Sequence, residues 1–279
     1  MLDVFQYDFM RRAFITGILI ATITPCIGVV VVLKRLSMTG DALSHNSLAG
    51  VAAGLALNMN PILGAVIFSI AAAFGIEKVR KSFPKYSEIA IAIIMSTGIG
   101  LAGILSGFVK NSANFNSFLF GSIVAISDFE LYMVIGLSII VILAVFLLHK
   151  ELFYMTFDEE SARLAGIPIK SINVVFTLLT AVTISISART VGTLVVSSLM
   201  VLPVATAMQV AKSYKQTVFY SILFALLYTI SGLFISYYAD FKPGGTIVLI
   251  GVFTLTSVLV FKNLLSRPRL KRNNISERF

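Results

Sequence analysis

Tryptophan is absent from this sequence, cysteine occurs once, at Cys26, and histidine only twice, at His45 and His149. A single cysteine excludes a disulfide framework within the chain and any multi-cysteine metal site. Two histidines leave a histidine-based catalytic triad little to draw on. Without tryptophan, anchoring at a membrane–water boundary falls to tyrosine and phenylalanine. Charge is scarce too: 13% of 279 residues, where a soluble domain carries about 25%. The Walker phosphate loop, H-E-x-x-H and G-x-S-x-G are missing, and no G-x-G-x-x-G follows a strand: the string at 98–103 lies inside an apolar run. If ATP drives this chain, its hydrolysis resides on another polypeptide.

What the chain has is apolar surface, 57% of its residues. Water cannot solvate a surface with so few charges, so a soluble domain and a disordered segment are both excluded. The net charge of +9 does not make it a nucleic-acid binder. The composition defines an all-α, polytopic transmembrane bundle, read as one integral-membrane domain over 1–279. A crossing of ~30 Å of hydrocarbon takes about 20 apolar residues, and the runs here are continuous, unlike the alternating segments of a barrel. They predict about nine spans: 14–33, 42–58, 61–78, 87–108, 129–148, 171–188, 191–211, 216–238 and 244–262. Span 42–58 is short and rich in Gly, Ala and Ser. Only Arg189 and Thr190 separate 171–188 from 191–211. An apolar piece, Ser117–Ile126, is too short to cross. The first residues carry Asp3 and Asp8 rather than a basic region, so no cleavable signal peptide is evident.

Basic residues orient the spans. Lys34 and Arg35, the Lys78–Lys85 loop, His149 to Lys170, Lys212 and Lys215, and the tail 263–279 all fall on one side if nine spans alternate. That side is inside, and the N-terminus is outside. Asp128, Glu130 and Asp240 lie near the outer face. Arg11 and Arg12, placed outside, are the misfit.

Three stretches can carry chemistry. In Gly40-Asp41-Ala42-Leu43-Ser44-His45-Asn46, Asp41 and His45 share a helix face one turn apart. Carboxylate plus neutral imidazole suits a borderline divalent ion such as zinc or manganese, and ionisable groups inside a bundle are functional candidates by default. The plainer reading makes Asp41 an N-cap and His45 a satisfied interfacial residue. The second stretch runs from Phe157 to Pro168. It reads as a short amphipathic helix capped by Asp158, with Glu159 and Glu160 on its positive end and Gly166 and Pro168 stopping it; Arg163 can pair with Glu159. Such a helix either docks in a partner's groove or is a solvated loop helix. The third, Val191-Gly192-Thr193-Leu194 to Pro203, places Ser197, Ser198 and a proline inside an apolar span. The proline kinks the span or frees backbone groups for a pathway, and the serines serve that pathway or helix packing. With Asn46, these are the gate candidates.

In this order and spacing, together with Leu36–His45 and Phe9-Met10-Arg11-Arg12-Ala13, these stretches resemble the permease subunit of bacterial metal-uptake ABC transporters, the zinc/manganese permease family. The resemblance covers nearly the whole chain. It implies the cobalamin importer permease fold without its first helix, which agrees with an outside N-terminus. It implies a bacterial cytoplasmic membrane location, a second permease copy, two cytosolic ATPase subunits and an extracytoplasmic metal-binding protein. It places the Asp-x-x-x-His pair, Asp41 and His45 here, in the ion path, and it makes 157–168 the coupling helix. The cargo is Zn²⁺ or Mn²⁺, and the Ser197–Pro203 stretch looks closer to zinc members. No bound cofactor and no enzymatic activity are implied. The alternatives are a permease for a chelate such as cobalamin, haem or a siderophore, a secondary transporter that needs no ATPase, and a membrane-embedded enzyme.

Overall fold

The computed structural model of the chain describes residues 6–83, 86–109 and 126–266, and all regular structure among them is helical. The helices are α1 (Asp8–Leu33), α2 (Thr39–Ala56), α3 (Pro61–Arg80), α4 (Ser87–Ser106), α5 (Asp128–Leu147), α6 (His149–Phe157), α7 (Glu159–Leu164), α8 (Ile169–Val191), α9 (Thr193–Val210), α10 (Tyr214–Ala239) and α11 (Pro243–Ser266). Several start where a side chain satisfies otherwise orphaned amides. Asn60 accepts from the Ile62 amide, with Pro61 filling the first turn. Ser127 and Glu130 form a reciprocal capping box at α5. Ser213 accepts from the Gln216 amide at α10. Within the helices, the hydroxyls of Thr16, Thr24, Thr206 and Ser221 donate to carbonyls four residues back. Polar groups are thereby satisfied with no water needed.

Helix α1 is the central post. It packs against α5, α8, α9 and α10, and Ile20, Ile23, Ile27 and Val31 join the core formed with Leu43, Ile91, Val134, Ile184, Met200 and Tyr228. The outside carries large apolar side chains, Ile139, Phe146, Leu249 and Phe253 among them. This inverts the surface of a soluble protein and fits contact with lipid tails. Helix α2 lies between α3, α4 and α9 and is buried along most of its length. At Gly50 and Gly64 the backbones of α2 and α3 nearly touch: a Cβ added at either glycine falls 2.2 Å from the other's carbonyl oxygen. Small residues allow this closeness.

The nine predicted spans need correction. Among the described residues seven helices are long and apolar enough to cross a membrane: α1, α3, α4, α5, α8, α10 and α11. The predicted 42–58 span is α2, 18 residues long; helical rise makes that about 27 Å. Its Gly, Ser and Asn content keeps its hydropathy low, and its neighbours rather than lipid surround it. The predicted 191–211 span is α9, Thr193–Val210, likewise 18 residues long. The division between the two adjacent spans also moves. Helix α8 continues through Arg189 and Thr190 to Val191, and the break falls on Gly192 alone, with φ +101°. That conformation is open to glycine and strained for other residues. Of the basic tail, 263–266 still belong to α11; 267–279 and most of the Ser117–Ile126 piece lie outside the described residues.

Arg11 and Arg12, the misfits of the charge pattern, are neutralised where they sit. Arg11 pairs with Asp8 at 2.5 Å. Arg12 pairs with Asp128 at 2.9 Å and donates to the Ile126 carbonyl at 3.3 Å. The second contact fastens the start of α1 to the start of α5.

Candidate functional site

Asp41 and His45 occupy the first two turns of α2. The N-cap position is Met38, and no side chain caps that end. Asp41 is therefore the third residue inside the helix and its carboxylate caps nothing, contrary to the plainer sequence reading. Both side chains are half-buried, whereas Gly40, Ala42, Leu43, Ser44, Asn46 and Ser47 are buried. The pair thus lies on the more open strip of an otherwise enclosed helix. Neither side chain makes a hydrogen bond or ion pair with the described residues. A carboxylate oxygen and an imidazole nitrogen are both suitable donor atoms for a divalent ion. Two ligands make half a tetrahedral site, and among the described residues no third His, Cys, Asp or Glu joins them. Beside the pair, the Ser44 and Ser47 hydroxyls are buried without a partner.

Asn46 is differently engaged. Its amide donates to the Ala42 carbonyl at 2.8 Å and across to the Ile94 carbonyl of α4 at 2.9 Å. Gly98 of α4 makes room for it, since a Cβ there would come within 2.6 Å of the amide nitrogen. Asn46 therefore pins α2 to α4 and holds the strip that carries Asp41 and His45.

The third sequence stretch comes to the same place. A Cβ on Gly40 would lie 3.2 Å from the Ser197 Cβ and 2.7 Å from the Met200 Cε. Ser197, buried on α9, thus sits against the turn that carries Asp41. Ser198 is half-buried. Pro203 is buried inside α9 and the helix continues through it. Lacking an amide hydrogen, it leaves the Leu199 carbonyl without its helical donor. Met200 is a contact that sequence reading did not single out. It also fills the space beside Gly28 of α1, and a methionine in an apolar run carries no signal for such a role.

The second stretch lies apart from these. Asp158 joins α6 to α7 and caps α7, accepting from the Glu160 amide at 3.1 Å, the Ser161 amide at 3.0 Å and the Ser161 hydroxyl. These bonds, the Ser161 hydroxyl first, hold its carboxyl below the ordinary carboxylate value. Gly166, at φ +80°, turns the chain out of the helix. Ala162 is buried under α7, while Glu159, Glu160, Arg163 and Leu164 are exposed. Glu159 and Arg163 form no ion pair with each other. Leu164, 82% exposed at the tip, was not singled out by sequence. The six-residue helix thus exposes an acidic start and an apolar end. Beside it a cavity of about 560 Å³ is lined by Lys34, Arg35, Arg80, Lys81 and Glu159. Burial pushes the Lys34 ammonium below its ordinary value, and the charge of Glu159 opposes that shift.

A long apolar helical bundle, an open Asp/His pair on a buried helix and a projecting acidic helix on a basic end together define a multi-pass membrane protein of transporter type. Residues 6–262 match the family described as the ABC 3 transport family, and the chain belongs to it. A membrane protein of Treponema pallidum is 38% identical over 256 residues, covering 91% of this chain and 96% of its own. The manganese transport system membrane protein MntC of Listeria monocytogenes is 33% identical over 257 residues, 92% and 91% of the two chains. The high-affinity zinc uptake system membrane protein ZnuB of Haemophilus influenzae is 30% identical over 267 residues, 95% of this chain and the whole of its own. Among solved structures, PsaBC of Streptococcus pneumoniae in complex with Fab superposes with a TM-score of 0.83 at 29% identity, covering 92% of this chain and 93% of that one. A second, an ABC transporter in an inward-facing conformation, shares the fold with a TM-score of 0.68 at 15% identity.

Proposed function

We propose that the chain is the membrane permease of an ABC importer that carries a divalent transition metal into the cell by alternating access. The observation that carries this reading is the unpartnered Asp41/His45 pair on the open strip of α2, in a chain whose relatives are named for manganese and zinc uptake. The ion passes Asp41 and His45 beside Ser197 and Ser198, while Asn46 and Pro203 shape the path. Asp plus His serves either ion; zinc is the preferred cargo on the resemblance of Ser197–Pro203 to zinc members.

Two copies of the permease form the pathway in the bacterial cytoplasmic membrane, with the N-terminus outside and the basic loops inside. Two cytosolic ATPase subunits supply hydrolysis, and an extracytoplasmic binding protein delivers the metal. Helix α7 fits an ATPase groove: Asp158 and Gly166 fix its ends, and Glu159, Glu160, Arg163 and Leu164 present its outer face. Copurification of an ATP-hydrolysing partner tests the assembly. In vesicles containing that complex, radioactive zinc should enter with ATP, and unlabelled zinc should compete better than manganese. Uptake without any ATPase, or uptake of a chelate in place of the ion, would refute the reading.

A further inference from the structure

A second cavity, of about 730 Å³, lies at the end of the bundle that bears α6 and α7, lined by residues of α1, α5, α6 and α10. Its volume is in the range of sites that enclose a small-molecule ligand. Helix α1 packs against both α5 and α10 and contributes Cys26, seven residues before its end at Leu33. The cavity therefore reaches about 10 Å along the bundle from that end. Ile142, Val145, Phe146 and Val218 make it apolar, whereas Lys150, Glu151 and Lys215 charge it at the helix ends. Lys150 and Lys215 are exposed and make no hydrogen bond or ion pair with the described residues. One carboxylate oxygen of Glu151, Oε2, is buried without a hydrogen-bond partner. His149 packs on Tyr214, ring centroids 5.6 Å apart. The nearness of Cys26, His149 and Glu151 does not make a metal site, because no three such side chains come together among the described residues.

We infer that this cavity holds one glycerophospholipid of the bilayer. Its acyl chain lies along Ile142, Val145 and Val218 toward Cys26. Its phosphate is held between Lys150 and Lys215, and a hydroxyl or ammonium of its headgroup donates to the Glu151 oxygen. Apolar depth, paired cations and a single orphaned acceptor are the three features such a molecule matches at once. A simple anion leaves the apolar walls wet, and a hydrocarbon leaves Glu151 unsatisfied. A headgroup with a donor beyond its phosphate, such as glycerol or ethanolamine, satisfies the site; choline, which has none, does not.

The purified full chain would be mixed with phosphatidylglycerol, phosphatidylethanolamine or phosphatidylcholine of identical acyl chains, and retained lipid counted by native mass spectrometry. Cys26, the only thiol, reports occupancy through its rate of reaction with a membrane-permeant maleimide. One retained phosphatidylglycerol or phosphatidylethanolamine is expected per chain, well above phosphatidylcholine, with slower Cys26 labelling. A lysine beside an anionic lipid surface contributes about fivefold in binding. Lys150→Gln with Lys215→Gln should therefore weaken phosphatidylglycerol retention by about twenty-five-fold and remove the protection of Cys26. Both residues are exposed, so folding is preserved. Glu151→Gln should narrow the preference for ethanolamine over choline. Equal retention of all three lipids, or unchanged retention and labelling in the double lysine variant, would overturn the inference. A full ethanolamine preference in Glu151→Gln would overturn the role given to Glu151.

Discussion

Replacing Gly50 by alanine tests the close backbone approach of α2 and α3. The new Cβ meets the Gly64 carbonyl oxygen at 2.2 Å, its carbon at 2.6 Å and the Ala65 Cα at 2.9 Å. All three are backbone atoms, so no side-chain rotation relieves them. Ordinary contact begins at 3.4 Å, so α2 must move away from α3 by about 1 Å. Overpacking of this kind costs about 1–3 kcal/mol. Gly100 on α4 is the control, because a Cβ there meets nothing within 4 Å. Gly100→Ala should be neutral or stabilise by up to ~1 kcal/mol through helix propensity. Both variants can be followed by thermal unfolding in detergent, read by far-ultraviolet circular dichroism. Gly50→Ala should unfold several degrees below wild type and Gly100→Ala should not. Equal stability of Gly50→Ala and wild type, or equal loss in both variants, would refute the close approach.

Other consequences are open to measurement. Asn46→Ala removes both amide bonds and leaves the Ile94 carbonyl without that donor, which should cost about 1–3 kcal/mol and lower the unfolding temperature; Asn46→Gln should recover little because Asn46 already fills the space that Gly98 opens. Exchanging the charges of Arg12 and Asp128 in one double variant should restore the ~0.2–1 kcal/mol that either single reversal loses, as befits a partly exposed pair, and a double-mutant cycle reads this coupling. Asp158→Ala should uncouple ATP turnover from uptake while Asp158→Asn, which still accepts hydrogen bonds, should not. The Asp158 carboxyl titrates below its unfolded value near ~3.9. Its support of α7 is therefore complete above that value and fades as pH falls through the lower, folded one. Backbone exchange at Ser161 in wild type and Asp158→Asn across that acid range checks the sign.

The sequence was legible where one interaction dominates. Apolar runs of 18 to 23 residues in the sequence specify α1, α3, α4, α5, α8, α10 and α11 because hydrocarbon demands them. The Asp158 cap and the Gly166 stop follow from local backbone chemistry. The 42–58 run that became helix α2 was short for a span, and hydropathy carries no information about its neighbours. Its glycines and serines answer to α3, α4 and α9, and only packing reveals that. Asp41 looked like a cap because a carboxylate at a helix start has two uses, and its place three residues in separates them. The pairing of Arg12 with Asp128 joins positions 116 residues apart, beyond any local pattern. It turned an apparent exception to the charge rule into a satisfied contact. The bond from the Asn46 amide to the Ile94 carbonyl, on a different helix, is likewise invisible to any local pattern.

The most direct test is metal uptake through Asp41→Ala and His45→Ala in vesicles containing the permease and its ATPase partner, with protein amount and unfolding temperature matched to wild type. Loss of even an outer-shell partner costs a metal site about 10–100-fold, so each variant should lower ATP-driven zinc entry by at least tenfold while basal ATP hydrolysis persists. Wild-type uptake in the double variant would contradict the placement of the ion path along α2.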